Sequence, residues 1–271
     1  MGSIYSNVIR SWLLILTVAC SAFTVPPFMW YATYSIEGYS LTGCSPFSNL
    51  GSAHEDAIGF SNAVNSAGLP CNARHVYNRR DTLCTPDLWS GVYAEVNYVD
   101  FLFYAGHGCA TGPYLGCDPA YQITNYADIR FGGNGYLKWV QAAACSWFIE
   151  DSLDRSCSTG MDEFQRWRNC FAGVHTIQGH RAITYDHASY FDSMSIEFWN
   201  RWVYQNNTIH NAWKSAQVKY VYEKGGYRGL QPATAAPEYI YISELWQDAT
   251  DAPAPYGMGI IVWGIVGNPQ Y

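Results

Sequence analysis

The 271-residue chain has no run of lysines and arginines: its 15 basic residues are scattered among 22 acidic ones, giving a formal charge of −7. Without a basic stripe to track a phosphate backbone, nucleic acid is not an expected partner. The chain also lacks any Cys-x-x-Cys or His-x-x-x-His pair, the spacings by which short loops and helices hold zinc. No compact set of carboxylates and histidines stands in their place, so neither a structural zinc site nor metal-dependent hydrolysis is expected, and no cofactor is implied. There is no internal repeat and no low-complexity tract. What is present is apolar: 49% of residues are hydrophobic and 17% aromatic, a composition that buries a core rather than staying disordered. The length suits one domain that needs no metal or partner to fold.

At the N-terminus Arg10 is followed by a largely apolar stretch, Trp12 to Val25, and then Pro26-Pro27. Charge, apolar run and break come in the order of an export signal, and the run is shorter than the ~20 residues that span a bilayer. Residues 1–25 are therefore read as an export signal or N-terminal anchor, and 26–271 as a single domain. Cleavage after Ala22, lipid attachment at Cys20, an uncleaved anchor and a buried first strand are the alternatives, and any membrane attachment runs through this segment alone. Nine cysteines agree with an oxidising, extracytoplasmic location, secreted or at the cell surface. The local pairings Cys71/Cys84, Cys109/Cys117 and Cys157/Cys170 would each staple a loop beside a strand end, although spacing alone does not fix connectivity.

Met29 to Ile36 reads as a strand, and Ala53 to Ala67 as a helix with Ala57, Phe60 and Val64 on one face. Pro70 to Trp89 is polar and reads as a connection. Tyr98 to Ala105 and Leu137 to Ala144 are short apolar runs of the kind that form buried parallel strands. Cys170 to Gln178 is a third such candidate. Two helices follow, one from Asp186 to about Tyr204 and one capped by Thr208 and ended by Gly225-Gly226. Glu238 to Leu245 and Met258 to Val266 read as closing strands. Strands separated by helices predict an α/β fold with a mostly parallel central sheet, helices on both faces and an antiparallel edge.

In open α/β sheets, ligands bind beyond the carboxyl ends of the strands, so residues that end neighbouring strands share one rim. His107 and Cys145 both take that place. An imidazole able to share its proton turns a thiol into a nucleophilic thiolate. The backbone N–H groups of Gly108 and Cys145 can receive the oxyanion that develops in acyl transfer. The pattern, FLFYAGHG (Phe101 to Gly108) followed by VQAAAC (Val140 to Cys145), resembles the caspase, legumain and gingipain superfamily, the clan CD cysteine peptidases. That resemblance implies a caspase-like α/β/α sandwich, with Cys145 as nucleophile, His107 as the group that transfers the proton, and a peptide or protein substrate. With WRNCFAGVHTIQGH (Trp167 to His180) and NNTIHNAW (Asn206 to Trp213), the longer pattern is similar to exported prokaryotic proteins of unassigned function. The chain departs from caspases after the nucleophile, where Ser146-Trp147-Phe148 replaces Arg-Gly, so the aspartate-selecting pocket does not carry over.

Trp147, Asp151 and His180 are candidates for the substrate pocket: an apolar wall, a charge for a basic residue, and a group on the same rim. Each also has a structural reading, as core aromatic, solvated carboxylate and satisfied buried histidine. Cys109, two residues from His107, could lock Cys145 in a disulfide. The alternative to an exported cysteine peptidase is therefore a non-catalytic secreted or cell-surface binding protein on the same fold.

Overall fold

A computed structural model describes residues 28–45, 49–66, 72–109, 112–122, 128–145, 147, 167, 170–180, 191–220, 227–232 and 260–263. The proposed export segment, Asp151 and the strand expected over Glu238 to Leu245 lie outside them. Strand β1 (Phe28–Ser35) leads through helix α1 (Ala53–Asn65) to β2 (Asn72–Arg80). Strand β3 (Phe101–Ala105), a two-residue pair β4 (Gly108–Cys109) and β5 (Gly112–Pro113), and β6 (Trp139–Ala143) follow. Then come β7 (Thr176–His180), helix α2 (Phe191–Trp199) running into a π-turn over Asn200–Tyr204, and helix α3 (Ile209–Tyr220). Strands β8 (Tyr227–Pro232) and β9 (Ile260–Trp263) follow.

Among the described residues seven strands form the main sheet, in the order β2-β1-β3-β6-β7-β8-β9. The first five are all parallel, and β8 and β9 are antiparallel to their neighbours. The fold is thus the expected α/β sandwich with a mostly parallel centre and an antiparallel edge. β3 and β6 are buried at every position, because both faces of the sheet are covered. On one face α1, α2 with its π-turn, and α3 pack Phe60, Phe198, Trp202 and Trp213 against Met29, Phe101, Phe103 and Trp139. Phe60 stacks on Phe103 with ring centroids 4.6 Å apart, and Trp139 meets Trp202 edge-on at 4.9 Å. Among the described residues the other face is covered by loops and 3₁₀ turns that bring Trp89, Val96, Ile129, Phe131 and Trp147 onto Leu102, Tyr104, Val140 and Ile177.

Three details differ from the sequence reading. Asn72–Arg80 forms strand β2 although it has no apolar run. It is the last strand on its side of the sheet among the described residues, so its side chains alternate between half-buried and exposed. A shift of register leaves Val76 without a partner on β1, a bulge of the kind that blunts a sheet edge. The third buried strand begins at Thr176 rather than Cys170, because Phe131 pairs with the Cys170–Ala172 stretch first. The expected disulfides are replaced by another. Cys117 bonds Cys44, 73 residues away, while Cys84 and Cys170 are buried thiols, which rules out Cys71/Cys84, Cys109/Cys117 and Cys157/Cys170. Spacing favoured neighbours in sequence, but the fold lays the loop after β1 across the loop after β3. No helix among the described residues is long and apolar enough to cross a membrane.

Candidate active site

From β1 the chain moves outward to β2 and then returns to the other side of β1 to form β3. That reversal makes the carboxyl ends of β1 and β3 the switch point, where open α/β sheets leave a crevice. His107 stands two residues beyond the end of β3, and Cys145 two residues beyond the end of β6, the next strand over. Gly106 N–H donates to the Ala143 carbonyl across the pair at 3.3 Å, extending the ladder to the foot of the site.

His107 is held by its backbone. Its N–H donates to Tyr39 Oη at 2.6 Å, and its carbonyl accepts from Tyr104 Oη at 2.8 Å and from Tyr114 N–H at 3.0 Å. Tyr104 spends its proton on that carbonyl, so the Tyr39 hydroxyl, 3.3 Å away, donates to Tyr104. The Tyr39 ring lies 4.6 Å from the imidazole, tilted by 49°. Burial raises the Tyr39 phenol pKa far above its ordinary range, and nearby thiols, Cys145 among them, push it the same way. Tyr39 therefore stays a neutral hydrogen-bonding group.

Gly108 closes the gap to the other strand. A Cβ on it would sit 2.3 Å from Trp147 Cδ1 and 2.5 Å from the Cys145 carbonyl oxygen, so only glycine lets the His107 turn lie against the Cys145 turn. His107, Gly108 and Cys145 are each half-buried. Cys145 is a thiol, not part of a disulfide, which overturns a Cys109–Cys145 lock. The other two described thiols are fully enclosed. Burial pushes Cys170 up to about 12 and raises Cys84 as well. Of the thiols whose surroundings are described, Cys145 is the one that solvent reaches.

Of the pocket candidates, Trp147 is buried, stacked between Tyr104 and Trp167 with ring centroids 5.6 Å from each. It forms the floor under Gly108. His180 ends β7 and is also buried, with Nδ1 3.3 Å from the Ala144 carbonyl and Nε2 2.9 Å from the Gln217 side chain. His175 precedes β7 and so lies at the opposite end of the strand.

Two groups on the same rim went unnoticed in the sequence. Tyr39, in the turn after β1, is one. The other joins Ser35, His54 and Asp81. His54 Nδ1 is 2.8 Å from Ser35 Oγ and its Nε2 is 2.9 Å from Asp81 Oδ2, with Glu37 3.9 Å away. Asp81 also accepts the N–H groups of Glu37 and Gly38 at 2.9 and 2.8 Å. Burial would raise its pKa, but these donors together with His54 outweigh burial and hold it low. Ser35 is fully buried, so this cluster ties the ends of β1 and β2 together. The signal that could have found both was position, since Ser35 and Tyr39 follow a strand end as His107 does. Among the described residues no group of three or more His, Cys, Asp and Glu is placed to hold a metal.

Fold and site define an α/β protein with a five-strand parallel centre that carries a histidine turn against a cysteine turn at its carboxyl rim. By sequence the chain belongs to the family described as Domain of unknown function (DUF6345), which it matches over residues 42–239. No curated protein and no solved structure matches it. The family match includes His107, Cys145, His180, α2 and α3.

Proposed function

We propose that the protein is an exported caspase-like cysteine peptidase that cleaves a peptide or protein substrate through a His107/Cys145 dyad. The observation that carries this reading is the contact of the His107–Gly108 turn with Cys145 beside the switch point. In the proposed reaction the Cys145 thiolate attacks the scissile carbonyl carbon, and the oxyanion that forms is received by the N–H groups of Gly108 and Cys145. As the intermediate collapses, the C–N bond breaks and the His107 imidazolium gives its proton to the departing amine. Water then hydrolyses the thioester, freeing the acid and the thiol. A transpeptidase or amidase would share every step up to the thioester. The Cys44–Cys117 disulfide supports an oxidising location, and residues 1–25 would deliver the domain there, secreted or at the cell surface.

Fluorescent iodoacetamide tests the reading. It should label the folded protein at Cys145 faster than it labels the other thiols, and Cys145→Ala should abolish that label. His107→Ala should slow labelling by about tenfold or more, since the thiolate then loses its partner. A folded protein whose Cys145 takes up no label would overturn the proposal.

A further inference from the structure

We propose that the amino end of the sheet is a membrane-docking face: Phe28, Trp30, Tyr98 and Tyr136 lie on a lipid bilayer surface, and the His107/Cys145 rim faces away from it. The proposal does not depend on the peptidase reading; it rests on residues 1–25 being kept as an anchor. Side chains alternate along a strand, and on β1 Met29 and Tyr31 pack under the helices, so Phe28 and Trp30 face the side that loops cover. There the cover stops short. Ala32 and Tyr34, further along that face, are buried, whereas Phe28 is 50% exposed, Trp30 40%, Tyr98 39% and Tyr136 53%. Phe28, Tyr98 and Tyr136 each stand three residues before a position, Tyr31, Phe101 and Trp139, that is matched across β1, β3 and β6. All three therefore come to one level at the amino end. The rings of Tyr98 and Tyr136 stack at 6.5 Å, and Phe28 meets Trp30 edge-on at 6.1 Å.

The backbone beneath these rings is tied together. Trp30 N–H donates to Asp100 Oδ2 at 2.7 Å, and Asp100 N–H donates to the Trp30 carbonyl at 2.8 Å, joining the start of β1 to that of β3. The buried Asn97 side chain donates to the Arg130 carbonyl and accepts Gly132 N–H, both at 2.8 Å, which holds the Glu95–Tyr98 turn against the stretch that leads to Tyr136. The occupant follows from the chain that enters here. Only Pro26-Pro27 separates the apolar run Trp12 to Val25 from Phe28, so the end of the run lies at most about 11 Å from the patch. A run seated in a bilayer therefore keeps the four aromatics within reach of the headgroups. Trp and Tyr favour that level, because the ring is apolar and its N–H or hydroxyl is polar. The run is too short to span a bilayer, and a single short anchor holds weakly, so a second contact made by the fold itself strengthens attachment. With a formal charge of −7, the chain is not drawn to anionic headgroups, and the contact is apolar. The eight residues of β1 set the rim roughly 25 Å from the lipid.

Hydroxyl-radical footprinting of the full chain, in buffer and on phosphatidylcholine vesicles, tests the face residue by residue. On vesicles the oxidation of Trp30, Tyr98 and Tyr136 should fall by about fivefold or more, while Leu41 on the rim and Tyr204 after α2 stay within about twofold of their rates in buffer. Leu41 and Tyr204 are exposed as well, so general shielding by the vesicle would reach them too. The Trp30→Ser/Tyr98→Ser/Tyr136→Ser variant, with the circular dichroism of wild type, should bind the vesicles more weakly by about tenfold or more. Wild type that binds vesicles with all three aromatics as reactive as in buffer overturns the proposal, as does wild type that does not bind them. A folded triple variant that binds as tightly as wild type overturns it too. Protection that grows with protein concentration in the absence of vesicles assigns the face to a second copy of the chain and likewise overturns it. Labelling of Cys145 enters none of these outcomes, so this proposal and the peptidase reading fail separately.

Discussion

Gly108 is the residue on which the two halves of the site depend, and the reason is a distance. A methyl group there would meet the Trp147 ring at 2.3 Å and the Cys145 carbonyl at 2.5 Å. Trp147 is held between two other aromatic rings and cannot withdraw. Gly108→Ala should therefore cost about 1–3 kcal/mol and, by pushing the His107 turn off Cys145, should slow alkylation of Cys145; urea unfolding and iodoacetamide kinetics check the two parts. Asp100 gives a prediction of opposite sign at the other end of the sheet. Its carboxylate accepts Trp30 N–H at 2.7 Å, yet burial pushes its pKa up to about 6 from 3.8, with Trp30 N–H and Lys138 offsetting only part of the cost. A carboxyl whose pKa is raised on folding stabilises the fold while protonated, and that contribution is lost as pH rises through about 6. Asp100→Asn keeps an acceptor for Trp30 without the charge. It should be more stable than wild type at pH 7 by about 1–2 kcal/mol, a figure discounted for partial exposure, and no more stable below pH 4.

At the scale of elements, the rim is assembled from loops that hold only a 3₁₀ turn at Tyr39–Thr42 and the two-residue pair β4–β5, and a covalent staple compensates. The turn after β1 carries Tyr39 and Cys44; the loop after β3 carries His107, Tyr114 and Cys117. Besides the disulfide, Cys117 N–H and Asp118 N–H both donate to the Thr42 carbonyl, at 3.0 and 2.9 Å. Closing a loop across 73 residues restricts the unfolded chain by about 4 kcal/mol in the loop-entropy account. The Cys44→Ser/Cys117→Ser double variant should therefore unfold at a clearly lower temperature and, with Tyr39 loosened from His107, should lose much of the Cys145 labelling rate. Unchanged labelling in a folded double variant would show that the hydroxyl contacts of Tyr39 and Tyr104 hold the histidine turn unaided. α3 illustrates the opposite case, an element whose boundary is local chemistry. Thr208 Oγ1 accepts from Asn211 N–H at 3.3 Å and caps it, as its sequence position predicts.

For the whole molecule, the pH dependence of stability follows from what is enclosed. His180 has its pKa lowered from 6.5 to about 4 by burial, and burial lowers His75 and His210 as well. Depressed values mean that the unfolded chain takes up protons first, so this stability is present above about 6.5 and is lost as pH falls toward 4. Asp81, Glu95 and Glu197 add to the loss at lower pH. For each, burial alone would raise the pKa, but partners outweigh it: Gly38 N–H and His54, then Arg79 and Tyr34, then Lys219 and Arg201. Asp100 works against the trend. For His180 alone the loss between pH 7 and pH 4 is roughly 3 kcal/mol, and His180→Asn should flatten the profile by about that amount in urea unfolding at the two pH values. Equal slopes for variant and wild type would contradict the buried neutral imidazole.

Much of this architecture was legible in local pattern. β1, β3, β6 and the three helices announced themselves as apolar runs or apolar faces, and Cys145 and His107 were recognisable because a strand end is visible wherever such a run stops. β2 was not, since an edge strand buries little and its sequence, NARHVYNRR, shows no apolar periodicity to read. Tyr39 and the Ser35–His54–Asp81 group join residues that only the topology brings to one rim. The sequence by itself determined which segments must be buried and which residue types end them, because burial of apolar side chains is a property of composition and period. Only the tertiary structure decided that Cys44 meets Cys117, that Gly108 seats against Cys145, and that His180 is buried between the Ala144 carbonyl and the Gln217 side chain. Those contacts depend on the order and spacing of the strands across the sheet, which no stretch of chain encodes alone.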